Sequence, residues 1–321
     1  MTSNAGAAKP TRLSAGDDDI GARQVPPPGG LNIDHVAHFV PNINDASAAL
    51  DRLGFTLTPF SSQSHRHEPG GPLVPAGTGN RCVMLERGYL EFLTPTGDTP
   101  VAEQLRAAIQ RYVGVQLIAF GTAAPQADHA RLAEEGFEPL TPVALQRPIT
   151  TPDGEDTARF TVVRVPPGKM AEGRIQFCQQ HTPALLWQAR WLEHANGARA
   201  LCAVLICVAD PGRAAQRYSR YTGVRAIKTG ATWTMATARG SLIFLNPETL
   251  ASTLNTTVPA LPWIAGYVLE TSDLPATRDH LVRAKCDITD RADGALMVTL
   301  PAALGGILIF QQQGHAPLNL D

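Results

Sequence analysis

The chain has 321 residues, a net charge of −2 and an apolar share of 44%, which is ordinary for about two globular domains. Its lysines and arginines are scattered, which excludes the basic stripe of a nucleic-acid surface. The sequence contains no run of about 18 apolar residues, so no membrane span is expected. The N-terminus lacks the apolar core of a signal peptide. We therefore expect a cytoplasmic protein that binds a small molecule rather than a nucleic acid or a membrane, with a homodimer left open.

The five cysteines agree with a reducing compartment. They are odd in number, form no C-x-x-C pair, and mostly lie in apolar, strand-like runs. Cysteine is readily buried as a small apolar side chain. We interpret them as buried reduced thiols.

A fourfold repeat follows a tail. Residues 1–30 are rich in Ala, Gly, Asp and Pro without periodicity, which predicts a disordered tail. From Leu31 onward a strand, a helix and further strands recur, and such repeats decide the fold. The predicted opening strands are 33–40, 113–120, 201–208 and 264–270, and the helices after them are 44–53, 125–135, 211–221 and 275–284.

The closing strands of the four units resemble one another. They have the sequences GYLEFL, GRIQFC, GSLIFL and GILIFQ, and each stands behind a strand and a helix. The pattern predicts an α+β protein made of four βαβββ units arranged as two pairs. We place the first paired module at 31–197 and the second at 198–321.

Two polar side chains stand out in the first unit. In a strand, His35, Ala37 and Phe39 share one face because side chains alternate. Glu91 interrupts the apolar closing strand, and a buried carboxylate is costly unless something pairs it. A metal ion or a substrate dipole is one such partner, while a hydrogen-bonded core histidine is the alternative interpretation of His35.

The segments 33–40, 77–81 and 88–93 resemble the vicinal oxygen chelate superfamily, and within it the glyoxalase-like domain proteins; 181–188 also looks like members of this group. The resemblance implies that two βαβββ units close into a cup around one site. It also implies a divalent metal held by up to four side chains, one from the first and one from the last strand of each unit.

Carried over residue by residue, the resemblance implies His35 and Glu91 in the first unit. Aligning Phe120 with Phe39 puts Gln116 at the histidine position of the second unit, and Gln176 falls at the glutamate position. His35, Glu91 and Gln116 then form a nitrogen-and-oxygen set for Zn, Ni, Mn or Fe. Gln176 cannot take up a proton, so it is not the general base of an isomerase, and we assign it to substrate binding.

Three further side chains complete the candidate site. Asn80 and Arg81 follow a glycine pair, and Arg81 is suited to an acidic substrate group or to a plain surface ion pair. His181 follows the last strand of the second unit and is a candidate proton shuttle over the cup mouth. Together with Glu91, His181 is our catalytic candidate; Asn80, Arg81 and Gln176 are the substrate-binding candidates.

The third and fourth units lack metal ligands. They have Ala203 and Gly266 where His35 stands, and Ile243 and Ile309 where Glu91 stands. We expect the second module to be a degenerate copy, kept for packing or dimerisation. The resulting hypothesis is a glyoxalase-like enzyme, an isomerase, lyase or transferase, that polarises vicinal oxygens of a small substrate with a divalent metal. The alternatives are a metal-free binding or resistance protein of the same fold and a structural scaffold without a ligand.

Overall fold

The computed structural model describes residues 15–65, 72, 74–315, 318 and 320. Within them the chain forms two eight-stranded sheets. The first sheet takes its strands from residues 32–180 and the second from 198–312. Each sheet is built from two consecutive βαβββ units, so the predicted α+β class and the fourfold repeat are confirmed.

The units follow one another with short helices between them. The first unit consists of β1 (Asn32–Phe39), α2 (Ile43–Arg52), β2 (Ser61–His65), β3 (Val74–Met84) and β4 (Tyr89–Pro95), with α1 (Ala15–Ala22) before it and α3 (Pro100–Arg111) after it. The second unit consists of β5 (Gly114–Gly121), α4 (Pro125–Glu134), β6 (Val143–Thr151), β7 (Gly154–Arg164) and β8 (Arg174–Gln180), followed by α5 (Pro183–Leu186) and a 3₁₀ turn (Ala189–Trp191).

The second module repeats this plan. The third unit consists of β9 (Ala198–Cys207), α6 (Pro211–Thr222), β10 (Ile227–Thr229), β11 (Thr232–Ala236) and β12 (Ser241–Leu245), followed by α7 (Pro247–Leu254). The fourth consists of β13 (Trp263–Thr271), α8 (Leu274–Arg283), β14 (Ile288–Asp290), β15 (Leu296–Thr299) and β16 (Ile307–Gln312). The predicted helices agree with these bounds to within two residues.

Both sheets have the same strand order. In the first sheet it is β2-β3-β4-β1-β5-β8-β7-β6, with β1 antiparallel to β5 at the centre. The opening strand of each unit is parallel to its closing strand, β1 to β4 and β5 to β8. The edge strands β2 and β6 contact each other, so the first sheet curls almost into a barrel.

Alternation along the strands gives each sheet two different faces. Val36, His38 and Val40 of β1 point to one side, while Ala37 and Phe39 point to the other. The first side belongs to a large core that both sheets share and that includes apolar residues of α2, α4, α6 and α8. We call the opposite side of each sheet its inner face, and the space that the inner face of the first sheet encloses the first cup.

The N-terminal tail differs from the prediction. Residues 1–14 lie outside the described residues, but Ala15–Ala22 forms a helix and residues 23–30 are described as well. Gly21 of this helix lies against the backbone of Ala184 in α5. The side chain of Gln24 is buried and donates hydrogen bonds to the carbonyl oxygens of Ile20 and Glu86. Contacts with the folded module therefore order a segment whose composition alone predicts disorder. No helix in the described part of the chain is long and apolar enough to cross a membrane.

His38 joins the two modules. Its Nδ1 lies 2.8 Å from the carbonyl oxygen of Leu304, and its Nε2 lies 3.2 Å from the hydroxyl of Tyr267. A neutral ring satisfies both contacts, with Nδ1–H donating to the carbonyl and Nε2 accepting from the tyrosine. Burial lowers the pKa of His38 from 6.5 to about 4, although the hydrogen bond to Leu304 opposes this. His38 is therefore a neutral structural residue.

This histidine predicts acid sensitivity. Its pKa is lower in the folded than in the unfolded chain, so the unfolded chain takes up the proton first as the pH falls from 6.5 towards 4. The stability that His38 contributes is present above pH 6.5 and is lost as the pH falls below it. The full loss is about 3 kcal/mol, since each pKa unit corresponds to ~1.4 kcal/mol. We expect the difference in unfolding free energy between the wild type and His38→Gln, from urea titrations, to shrink by that amount between pH 7 and pH 4. His315→Gln, at an exposed position, should show no such change, and a pH-independent difference for His38→Gln would refute the assignment.

Candidate functional site

A β-bulge places two consecutive polar side chains in the first cup. The pairing of β1 with β5 shifts between Ile33 and His35, so Asp34 is the extra residue. A bulge can bring successive side chains to one side of a sheet. Here Asp34 and His35 are both buried, and the Oδ2 of Asp34 lies 2.7 Å from the Nδ1 of His35. The bulge therefore builds a carboxylate–imidazole pair on the inner face.

Neighbouring side chains hold this pair in place. The Gln180 amide donates to the Oδ2 of Asp34 at 3.1 Å. The ring of Tyr89 stacks on His35 with 4.3 Å between the centroids, and Trp187 packs edge-on against Tyr89. Trp187 is fixed in turn by a hydrogen bond from its ring nitrogen to the carbonyl oxygen of Leu85. The orientation of the imidazole is thus set by one carboxylate and one aromatic face.

Glu91 is held by amide donors on β2 and β3. Its side chain is buried, and its Oε1 accepts hydrogen bonds from the amides of Asn80 and, at 3.3 Å, Gln63. The Oε1 of Gln63 accepts from the Thr78 hydroxyl at 2.8 Å. These donors satisfy one carboxylate oxygen and leave Oε2 turned towards the cup.

The His35 and Glu91 side chains face each other across a short gap. The Nε2 of His35 lies 4.0 Å from the Oε2 of Glu91. When Nδ1–H donates to Asp34, a neutral imidazole presents a lone pair at Nε2. Nitrogen and oxygen are then both acceptors with no donor between them, an arrangement that a proton or a cation would stabilise.

Several polar atoms of the first cup lack a partner. No hydrogen bond reaches Asp34 Oδ1, Asn80 Oδ1, Gln176 Oε1, Gln180 Oε1 or Arg164 Nε. Buried polar groups are normally paired, and each unpaired group costs about 1–3 kcal/mol. A polar ligand bound at this inner face would supply partners for such atoms.

Three arginines that the sequence analysis missed also line the first cup. Arg164 on β7 pairs with Gln176 on β8, and Arg174 on β8 pairs with Leu117 on β5. Burial lowers the pKa of both guanidinium groups, that of Arg174 to about 10, and Glu91 opposes the fall in each. Arg147 of β6 reaches across to the Cys82 thiol, whose pKa burial raises to about 12. Arg164 lies two residues after Val162 in the predicted strand, so the two side chains share one face. This spacing was the sequence signal that could have placed Arg164 on the inner face.

Gln116 is not equivalent to His35, because the structure does not place it where the sequence alignment predicted. The register pairs His35 with Tyr89 and Leu117 with Arg174, so Leu117 stands at the histidine position of the second unit. Gln116 is the bulged residue before it, as Asp34 is before His35. Its amide donates to the carbonyl oxygens of Ala108 and Tyr112 at 2.8 and 2.6 Å, so it caps the end of α3.

Arg81 and His181 do not lie in the first cup. Arg81 pairs with Phe92, whose side chain belongs to the core on the other face of the sheet. His181 is exposed, and its Nε2 bonds the hydroxyl of Thr161 at 2.8 Å. Alternation after Gln180, which contacts Asp34, turns His181 to that other face as well. Among the predicted site residues, the inner face therefore brings together His35, Glu91, Asn80 and Gln176.

The inner face of the second sheet is apolar at the positions that correspond to the site residues of the first cup. The positions that match His35 and Glu91 are Ala203, Gly266, Ile243 and Ile309, as the strand register of this sheet requires. Around them lie buried side chains that include Leu205, Met297 and, from the C-terminal segment, Leu320. Within the described residues, this face carries apolar packing where the first cup carries polar groups.

This architecture, two paired βαβββ modules with a polar cup in one of them, defines a protein of the vicinal oxygen chelate superfamily. The model of the family described as "Glyoxalase-like domain" matches residues 33–222, which is more than half of the chain. The chain belongs to that glyoxalase-like domain family. No curated protein sequence matches it significantly.

Solved structures share the fold across nearly the whole chain. A hypothetical protein from Staphylococcus aureus superposes with a TM-score of 0.58 at 12% identity, covering 88% of this chain and 99% of its own. A mutant 4-hydroxymandelate synthase from Streptomyces coelicolor superposes with a TM-score of 0.54 at 15% identity, covering 90% of this chain and 94% of its own. A fusion of a xylose isomerase-like TIM barrel with 4-hydroxyphenylpyruvate dioxygenase superposes with a TM-score of 0.53 at 12% identity. The match covers 89% of this chain and 50% of the fusion protein.

Variants of Gln176 and Gln116 distinguish a side chain that faces a ligand from one that supports the fold. Gln176→Leu removes an oxygen that has no partner, so we expect the unfolding free energy to stay equal or to rise by about 1 kcal/mol. Gln116→Leu removes two hydrogen bonds to helix carbonyls, and we expect a loss of about 2 kcal/mol. Urea denaturation of both variants measures the difference. If Gln176→Leu destabilises the protein as much as Gln116→Leu does, Gln176 is a structural residue.

Proposed function

We propose that the protein is a glyoxalase-like enzyme that binds a small, oxygen-rich substrate in the first cup and acts on it beside His35 and Glu91. The observation that carries the proposal is the 4.0 Å approach of the His35 Nε2 to the Glu91 Oε2, two acceptors turned into one polar hollow. The reaction is of the isomerase, lyase or transferase type. The partner is a small molecule.

The donor set of the first cup suits a divalent metal. Three acceptors have no donor opposite them: the Nε2 of His35, the Oε2 of Glu91 and the unpartnered Oε1 of Gln176. One imidazole nitrogen and two oxygens are ligands for Zn, Ni, Mn or Fe(II). Gln176 thereby takes the place that the sequence assigned to Gln116. Leu117 supplies no fourth ligand, and a catalytic metal needs open positions for its substrate.

When bound, such an ion would act as a Lewis acid on two adjacent oxygens of the substrate. The protein's own groups would do the rest. Asp34 holds the Nδ1–H of His35, which fixes the tautomer in which Nε2 is free. Asn80 and Gln63 hold Glu91 by its other oxygen. Glu91 is the carboxylate placed to accept a proton from the substrate, because Gln176 cannot.

A metal-free binding protein is the second candidate. The observation that favours it is the presence of Arg164 and Arg174 on the same inner face as Glu91, since cations repel a further cation. In addition, no group of three His, Cys, Asp or Glu side chains in the described residues is placed to hold a metal. A scaffold without any ligand is disfavoured, because five unpaired polar atoms in the first cup would serve no purpose in it.

A metal titration distinguishes the candidates. We expect chelator-treated full-length protein to bind about one equivalent of Mn²⁺ or Zn²⁺ by calorimetry, and His35→Ala to abolish this binding. Asp34→Asn should weaken it about 10–100-fold, as the loss of a group that orients a ligand does. His181→Ala is the matched control, because this histidine is exposed on the other face of the sheet.

The same titration tests the second module. Since its inner face is apolar at the four corresponding positions, His35→Ala should leave no tight site in the whole chain. Binding of one equivalent that survives in His35→Ala would contradict both the site and the degenerate second module. A wild type that takes up no metal from either ion would favour the metal-free binder.

A further inference from the structure

Two arginines of the first cup form a cationic pair. Arg164 on β7 pairs with Gln176 on β8, and Arg174 lies two residues before Gln176 on the same face. Arg147 stands apart, because it pairs with Ala158, six residues from Arg164 along β7, and reaches to Cys82. We call Arg164 and Arg174 the arginine wall.

The arginine wall has no carboxylate in direct contact. Neither member forms a salt bridge among the described residues, whereas Arg131 and Arg217 each do. The Nε of Arg164 has no hydrogen-bond partner, and the guanidinium of Arg174 lies 5.7 Å from the centre of the Phe39 ring. Burial and, to a smaller extent, the neighbouring Arg164 lower the pKa of Arg174 to about 10.

The nearest carboxylates are already engaged. Glu91 accepts hydrogen bonds from Asn80 and Gln63, and Asp34 accepts from Gln180 and contacts His35. A guanidinium left without an anion in a half-buried site is costly, and its planar fork suits a carboxylate or phosphate held by two parallel hydrogen bonds. An anionic ligand would supply the partner that these arginines lack.

We propose that the substrate of the first cup carries an anionic oxygen group, a carboxylate or a phosphate, which Arg164 and Arg174 bind. The vicinal oxygens then point towards His35 and Glu91. This inference rests on the proposed function for the location of the site, and it adds the chemical class of the substrate.

A pair of probes of equal size tests the charge. Pyruvate has two adjacent oxygen-bearing carbons and an anionic end, and pyruvamide is its neutral counterpart. Calorimetric titration of the full-length wild type should show pyruvate binding about tenfold or more tighter than pyruvamide, which corresponds to one charged hydrogen-bonded contact. Inorganic phosphate should compete with pyruvate if the wall accepts phosphates, and fail to compete if it is specific for carboxylates. Equal affinities for pyruvate and pyruvamide overturn the proposal.

Variants locate the effect. Arg164→Met and Arg174→Met should each weaken pyruvate binding about tenfold and leave pyruvamide binding unchanged, and Arg164→Lys should restore part of the loss. Arg159→Met is the matched control, because Arg159 is exposed on the same strand as Arg164 and lies on the other face of the sheet. A loss in Arg159→Met as large as in Arg164→Met overturns the proposal. Arg164→Lys keeps the charge, so it stays informative where a methionine variant fails to fold.

His35→Ala separates this inference from the proposed function. If the arginine variants lower the preference for pyruvate while neither the wild type nor His35→Ala binds metal, the anion site stands and the metal-dependent function falls. If metal binding depends on His35 but pyruvate and pyruvamide bind alike, the anion site falls and the proposed function stands.

Discussion

A bulge at the same place in the opening strand of each unit shapes what the inner faces carry. The bulged residues are Asp34, Gln116, Cys202 and Ala265, and each directly precedes the position that aligns with His35. A bulge disrupts the ladder locally and re-aims the side chains around it. In the first unit this places a carboxylate against the imidazole; in the second it places a capping amide under α3. The same backbone feature therefore positions a polar pair on the inner face in one unit and a helix cap in another.

The two modules show how one fold carries two different interiors. Each sheet has to bury the face that packs on the other module, and both do so with apolar side chains. The inner face is less constrained, because it can be filled or left open to a ligand. In the second sheet apolar residues, Leu320 among them, occupy most of it; in the first, polar groups without partners line it. The two modules therefore differ in the side chains of the inner face and not in the fold.

The sequence was sufficient for the architecture but only in part for the site. Helix spacing and closing strands such as GYLEFL predict the four units, because these patterns follow directly from local periodicity. The assignment of Gln116 failed by one residue, since a bulge shifts the alternation and cannot be seen in apolar patterning. Arg164 and Arg174 were overlooked because their importance depends on which face of β7 and β8 turns inwards. The register of the sheet, which the chain's long-range pairing fixes, supplies that information.

Charge balance relates the two ends of the first cup. Three arginines face two carboxylates, Asp34 and Glu91, on the same inner face, so a neutral His35 leaves an excess of one positive charge. An anion at the arginine wall removes that excess and lowers the repulsion that a cation near His35 and Glu91 would meet. An anion and a cation bound in this way would each favour the other without any change of shape, because the coupling is electrostatic and reciprocal. A cup with a carboxylate end and a cationic end can in this way select a substrate that is itself polar along its length.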